Sequence, residues 1–370
     1  MNVAFLILAI LSALHVMIPS VYYLFMKRTA EKKPWNLSLN ERYEPTVTII
    51  IATYNEAKNI LNKLQNIEEL DYPKDKLEVI IVDSASTDGT ADLAKAHINA
   101  ATHTISFRTL ILEETERKGK AKALNHALKH ASGEIIATSD ADCLWPRHSM
   151  RYAVKYLSDP QVAAVCGQEA LITPDNSSAT RTESQYRGLF NYIRVGESKI
   201  HSTIVFEGAL ALYKRGLLKR FDEPCDDSGS ALDLVQKGYR TIMVPDIYFL
   251  NPISSKWSEK LAKKTRRAQH LVEIWHRCLS LDLKRKLKLN SWISRVNVFL
   301  YIINPFLFPV FILTLTLLLI EYPVVILATP LILLIPKGRD LFLLYFTNYL
   351  FLLQAIFMEM LGKKQVVWKK

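Results

Sequence analysis

The residues best suited to chemistry are acids that close short apolar runs. Ile135-Ile136-Ala137-Thr138 leads into Ser139 and then Asp140-Ala141-Asp142. In extended chain, residues two apart point to one face. Asp140 and Asp142 are therefore expected to present two carboxylates together, and such charges repel unless a cation sits near them. Oxygen ligands select a hard ion, Mg²⁺ or Mn²⁺, which completes its shell with water and substrate phosphates. A solvated strand end has the same spelling, so the pair alone leaves both readings open. Further on, Asp226-Asp227 open a helix that stops before Gly238. Capping accounts cheaply for one acid and does not obviously account for both. Asp83 closes another run and is followed by Ser84-Ala85-Ser86-Thr87-Asp88-Gly89-Thr90. An acid followed by small polar residues suits a ribose or base edge, or simply a capped turn. Arg117-Lys118-Gly119-Lys120 begins a helix. Basic residues with a glycine there suit a diphosphate, or a solvated basic turn.

These residues need a scaffold that brings them to one place. From Pro45 to about Pro252, β-branched runs occur at 47–51, 78–82, 108–112, 135–138, 162–165 and 241–244. Helical patterns lie between several of them, at 57–69, 91–100, 120–131 and 147–157. Strand and helix in alternation predict a mostly parallel α/β sheet. In such sheets ligands bind beyond the carboxyl ends of the strands, where the acids above would sit. No GxxxxGK[ST] and no GxGxxG is present, so neither a P-loop nor a Rossmann dinucleotide site is supported.

The chain has 370 residues, a formal net charge of +11, 49% hydrophobic and 22% charged residues, and a mean hydropathy of +0.08. That composition excludes a disordered or collagen-like chain. Cys143, Cys166, Cys225 and Cys278 show no CxxC spacing, so reduced thiols are expected rather than a disulfide scaffold or a zinc site. Apolar residues gather at the two ends. Residues 3–25 are almost uninterruptedly apolar and are followed by Lys27, Arg28, Lys32 and Lys33. This predicts a retained anchor with the following domain in the cytosol. From Trp292 to Leu361, spans are expected at 296–320, 323–336 and 341–361. The middle one is short and carries Pro330, so two or three crossings both fit. Between domain and spans, residues 254–290 hold eleven basic and three acidic side chains. Trp257, Leu261, Ala268, Leu271, Val272 and Trp275 recur there at helical spacing, as in an amphipathic helix on an anionic membrane surface. Lipid headgroups rather than nucleic acid are its expected partner. The expected divisions are an anchor at 1–26, the α/β domain at 43–252, the basic interfacial region at 253–290 and membrane helices at 291–362.

The pieces occur in one order: Thr53-Tyr54-Asn55-Glu56, Asp83 with Ser86-Thr87-Asp88-Gly89-Thr90, Gly119-Lys120 with Ala123-Leu124-Asn125, Asp140-Ala141-Asp142, and Asp226-Asp227 with Gly238-Tyr239-Arg240. Over about residues 45–270 the chain resembles the membrane-bound branch of the inverting family 2 glycosyltransferases of GT-A fold. That branch includes polysaccharide synthases and polyisoprenyl-phosphate sugar transferases. The resemblance implies that Thr53, Tyr54, Glu56 and Asp83 hold the nucleoside, and that Lys120, with Asn125 in the same motif, contacts the nucleotide. It implies that Asp140 and Asp142 are the family's DxD, with Asp142 the direct ligand of a Mg or Mn ion. Asp227 corresponds to the general base. Its neighbour Asp226 stands where the family has Glu. The family's QxxRW motif is matched only by Lys263-Lys264-Thr265-Arg266-Arg267, where Arg266 fits and Gln and Trp are missing. That weakens the product-channel role of the motif and leaves Arg266 to neutralise the donor diphosphate or a lipid phosphate. Gly167-Gln168-Glu169 and Phe206-Glu207-Gly208 are expected to border the acceptor cleft.

The expected activity is transfer of a sugar from a nucleotide sugar, with UDP the commoner carrier among such relatives, to a lipid-linked or saccharide acceptor. The expected location is the plasma membrane, with the catalytic domain cytosolic and an oligomer compatible with the sequence. A processive polysaccharide synthase is the alternative. A sugar nucleotidyltransferase and a nucleotide-sensing scaffold are more remote ones.

Overall fold

The structure is a computed structural model of the chain and describes residues 3–100, 107–172, 178–223, 225–252, 257–322 and 336–362. The chain divides into two compact units. One comprises Lys32–Ile172 and Arg194–Ile253. Its strands are β1 (Val47–Thr53), β2 (Leu77–Ser84), β3 (Arg108–Glu114), β4 (Ile135–Ser139), β5 (Val162–Ile172), β6 (Ala211–Lys214) and β7 (Arg240–Pro252). They form one sheet in the order β3-β2-β1-β4-β6-β5-β7. Among the described residues the α-helices are α1 (Val3–Lys32), α2 (Ile60–Glu68), α3 (Thr90–Ala100), α4 (Lys120–Leu128), α5 (Ser149–Leu157), α6 (Ser178–Ile200), α7 (Asp226–Gln236), α8 (Trp257–Leu283), α9 (Ser291–Val298), α10 (Asn304–Glu321) and α11 (Pro336–Met360).

The sheet is mostly parallel, as the alternation of runs requires. Only β6 departs from this, running antiparallel to both β4 and β5. The six expected strands are present, and β5 and β7 run well beyond their β-branched cores. Strands β1 and β2 are buried on both faces, which is why they read as continuous apolar runs. Val47, Ile49, Ile51, Val79 and Ile81 share a core with Ile60, Leu64 and Ile67 of α2 and with Met150, Val154 and Leu157 of α5. Their alternates Ile50, Ile80 and Val82 are equally buried. The i, i+4, i+7 spacing of the three α2 residues makes them one stripe.

Register then aligns the functional ends. Thr53 lies opposite Asp83, Ser139 opposite Ile51, and Ala211 opposite both Thr138 and Cys166. One edge of the sheet thus gathers the carboxyl ends of β1, β2 and β4 with the entry to β6. The four cysteines are free and buried.

The second unit takes in α1, the first part of α6 and α8 to α11. Among the described residues, Val3–Lys32, Ser291–Glu321 and Phe342–Met360 are long and apolar enough to cross a membrane. Two of these match the spans expected at 3–25 and 296–320, and the third that at 341–361. The remaining candidate, 323–336, lies outside the described residues except for its last position, as does the lysine tail from 363. Polar side chains in these helices meet one another. His15 Nδ1 and Asn304 Oδ1 are 2.8 Å apart, Asn304 Nδ2 donates to Tyr349 Oη at 2.8 Å, and Ser12 Oγ donates to Thr314 Oγ1 at 2.8 Å. Hydrocarbon offers no hydrogen bonds, so internal partners are the stable arrangement. Helix α8 forms within the basic stretch, but Ala268 and Val272 pack on Ala355 and Ile356 of α11. Part of the apolar face expected to lie on lipid is therefore covered by protein.

Candidate active site

Two loops at the sheet edge are laced together. Asn55 and Ala85 adopt positive φ, at 54° and 58°, which turns the chain sharply after β1 and β2. The Asp83 carboxylate accepts from Ser86 N at 2.9 Å, Ser86 Oγ at 2.6 Å and Thr53 Oγ1 at 3.1 Å. Asn55 N donates to Ser86 Oγ, and Asn55 Oδ1 accepts from Thr87 N, both at 2.9 Å. Glu56 N donates to Thr90 Oγ1 at 2.9 Å, and the Glu56 carboxylate accepts from Asn59 Nδ2 at 2.7 Å. Ala57 N donates to Asp88 Oδ2 at 3.0 Å. Residues 57–59 form a turn, with Asn59 N and Ile60 N both donating to Glu56 O at 2.9 Å, and α2 begins at Ile60. The Arg117 guanidinium lies over the Tyr54 ring, 3.8 Å from its centroid, a cation–π contact. A flat, cationic and aromatic surface of this kind suits a base or a phosphate.

Beside these loops sits a charged cluster. Lys120, the first residue of α4, donates from Nζ to Asp140 Oδ1 at 2.7 Å and lies 3.8 Å from Asp226 Oδ2. Burial pulls its pKa down, but Asp140, Asp226 and Asp227 outweigh that and hold it above the ordinary lysine value. Asp227 accepts from Gly208 N at 2.9 Å and from Ser228 N at 2.8 Å. Burial first, then the charges of Asp226 and Glu207, push its carboxyl up to about 7 against the pull of Lys120 and the Ser228 amide. Glu207 in turn pairs with Arg194 of α6. Asp226 Oδ2 and the Tyr213 hydroxyl are buried with no hydrogen-bond partner among the described residues.

The turn after β4 differs from expectation. The strand ends at Ser139, and Asp140 to Asp142 form a turn. The two carboxylates are thus not an alternating pair in extended chain. Both are partly exposed oxygen donors, and Asp140 pairs with a lysine that could hold a phosphate. Among the described residues no cluster of three or more His, Cys, Asp or Glu is assembled for a metal. Two carboxylates with the rest of the shell from diphosphate and water is what Mg²⁺ normally takes, so the donor set fits such an ion.

The edge brings together Thr53, Tyr54, Glu56, Asp83, Lys120, Asp140, Asp142, Asp226 and Asp227 within the α/β unit. Asn125 is committed elsewhere. Its side chain donates to Phe221 O at 2.9 Å and accepts from Phe221 N at 2.7 Å, tying α4 to the loop before α7. Arg266 lies on α8, in the other unit. Gly208 is the neighbour that the sequence placed only loosely. A Cβ there would lie 3.1 Å from Asp227 Oδ2 and 3.3 Å from Lys120 Nζ, so glycine lets that backbone amide approach the acid.

Residues 48–221 match the family model described as glycosyl transferase family 2. Along nearly the whole chain the fold is similar to the mannosyltransferase PcManGT from Pyrobaculum calidifontis, solved in complex with GDP-Man and Mn²⁺. Identity is 35%, the TM-score is 0.81, and the match covers 97% of this chain and 99% of that one. Glycosyltransferase AglE of Haloferax volcanii is 26% identical over 251 residues, covering 67% of this chain and 80% of that protein. A poly-beta-1,6-N-acetyl-D-glucosamine synthase of Staphylococcus epidermidis is 27% identical over 219 residues, 57% of this chain but only 49% of the synthase's length. With this fold, these loops and a relative matching it from end to end, the chain belongs to glycosyl transferase family 2 and is a GT-A glycosyltransferase.

Proposed function

We propose that this enzyme transfers mannose from GDP-mannose, with inversion, to a lipid-linked or membrane-associated acceptor in a divalent-metal-dependent reaction. The observation that carries the reading is the raised, partly buried Asp227 beside Lys120 and the Asp140–Asp142 turn. The sequence favoured UDP as carrier. The end-to-end similarity to a mannosyltransferase complexed with GDP-Man and Mn²⁺ supports GDP-mannose instead. The laced loops of Thr53, Glu56 and Asp83, with Tyr54 under Arg117, hold the nucleoside. Lys120 binds the diphosphate, and its charge opposes the negative charge that grows as the sugar–phosphate bond breaks. Asp140 and Asp142 hold a Mg or Mn ion, which when bound screens the diphosphate and acts as a Lewis acid. Asp227 removes the proton of the acceptor hydroxyl as that oxygen attacks the anomeric carbon. One base and direct displacement give an inverted product. Three helices fit to cross a membrane support an acceptor held in or at the bilayer. The basic residues after the α1 apolar run support a catalytic unit on the cytosolic side of the plasma membrane.

A processive polysaccharide synthase is the second reading, supported by the synthases among the relatives. Incubating membranes with radiolabelled GDP-mannose separates the two. A short, organic-extractable product carrying a β-linked sugar supports the proposal. A ladder of long chains supports the synthase. Label transferred only from other nucleotide sugars overturns the donor assignment.

A further inference from the structure

Lys63 is the only lysine among the described residues that is fully buried, with 0% exposure, and the reaction above gives it no part. It sits on the apolar stripe of α2, between Ile60 and Leu64. Its ammonium donates to Cys143 O at 3.0 Å and lies 4.3 Å from the centroid of the Trp145 ring. Burying an ammonium is costly unless its surroundings satisfy it, so a lysine in this stripe calls for a role that an apolar side chain cannot fill. One turn later, Asn66 accepts from Trp145 N and donates to Trp145 O, both at 2.8 Å. From the far side, Trp145 Nε1 donates to Ala209 O at 2.9 Å.

These contacts grip Cys143 to Trp145, the segment that follows Asp140–Asp142. The β4 ladder ends at Ser139, and the next backbone anchor is Leu144, which exchanges hydrogen bonds with Leu250 of β7 at 2.9 and 2.8 Å. Between those two anchors side chains set the turn, and α2 supplies two of them. Ala209 is next to Gly208, whose amide holds Asp227, so the same grip links the turn to the proposed base.

We propose that Lys63 is a positioning residue, whose ammonium fixes the Cys143 carbonyl and so holds the Asp140–Asp142 turn in the conformation that receives a metal–diphosphate. The proposal rests on the reading that these carboxylates hold the metal. It is tested on the full chain in detergent by titrating Mn²⁺ in the presence of GDP, and GDP alone in EDTA. Lys63→Met keeps the length and loses the donor. The expected result is Mn²⁺ affinity lowered about tenfold, as for other outer partners of metal ligands, with GDP binding in EDTA unchanged and the donor KM raised more than kcat is lowered. Asn66→Ala is expected to shift Mn²⁺ affinity the same way by less. If Lys63→Met does not fold, Asn66→Ala decides, and unchanged Mn²⁺ affinity in it overturns the proposal. Tighter Mn²⁺ binding in Lys63→Met, the outcome if the ammonium merely repels the cation, also overturns it, as does an equal loss with and without metal. Asp142→Ala separates the two claims. If it leaves Mn²⁺-dependent binding intact, the metal assignment itself fails. If it abolishes that binding while Lys63→Met changes nothing, only the role of Lys63 falls.

Discussion

At the scale of single residues, the proposed mechanism turns on Asp227. A base with a raised pKa is charged only above that value, so kcat/KM is expected to fall about tenfold per pH unit below about 7. A pH–rate profile checks this, and an acid limb near 4 would remove Asp227 from the role. Replacing it by Asn is expected to lower transfer by about 10²–10⁴-fold while GDP binding by calorimetry stays near that of the native enzyme. The same shift acts against stability. The folded state binds this proton more tightly than the unfolded chain does, so stability declines as pH rises from 3.8 through about 7. Asp227→Asn should therefore melt no lower than the native protein at pH 8. Gly208→Ala puts a Cβ 3.1 Å from Asp227 Oδ2. A shift of a few tenths of an ångström at a reacting group should cost about tenfold in kcat with the melting temperature kept. The pair Asp226-Asp227 stood out in the sequence, and the choice of Asp227 as the proposed base came from the family resemblance. Its raised pKa was legible only in part: the adjacent Asp226 contributes, but burial, the largest cause, and Glu207 come from the fold. Asn125 shows the opposite failure. Its motif was visible, but its partner, the backbone of Phe221, was not.

At the scale of elements, α7 and the strand before it do most to shape the edge. Gly238, at φ +93°, ends α7 with Gly238 N donating to Val235 O at 2.9 Å and Tyr239 N to Leu234 O at 3.2 Å, a Schellman close that the glycine announced in the sequence. The other end is held differently. A Cβ on Gly229 would stand 2.1 Å from Asp222 Oδ2 and 2.7 Å from Asp222 Cβ, so the loop before α7 lies directly on its first turn. Gly229→Ala is expected to destabilise by about 1–3 kcal/mol, measured by denaturant titration, and to weaken transfer by displacing the aspartates. Long β-branched runs revealed six strands. The four residues of β6 did not stand out, because a short apolar run carries no period that separates strand from loop. Yet β6 decides the site, since its reversal sets Gly208 beside Asp227. The DxD turn was misjudged for a related reason. Strand periodicity was carried past Ser139, where hydrogen bonds to Ala209 and α2 take over.

At the scale of the whole molecule, two units carry two kinds of solvent logic. The apolar runs at both ends were legible as spans because length and hydropathy suffice. The side-chain contacts between them were not, because polar residues such as His15 and Asn304 are single letters in long apolar runs. His15→Leu leaves Asn304 without that partner and is expected to weaken the α1–α10 contact by about 1–2 kcal/mol. Unfolding of the detergent-solubilised protein checks this, and an unchanged midpoint would count against the contact. Helix α6 was also not legible, because Leu189, Phe190 and Ile193 are outnumbered by polar residues along its 23 residues. The four sealed thiols carry a practical consequence. A maleimide can reach them only when the packing around each one breathes, so alkylation becomes a clock for local opening. Cys225 would time the loosening of the aspartate helix, Cys143 that of the turn before Trp145, Cys166 that of the central strands and Cys278 that of α8. Mass spectrometry of the tagged peptides would then read four separate dials from one unmodified chain.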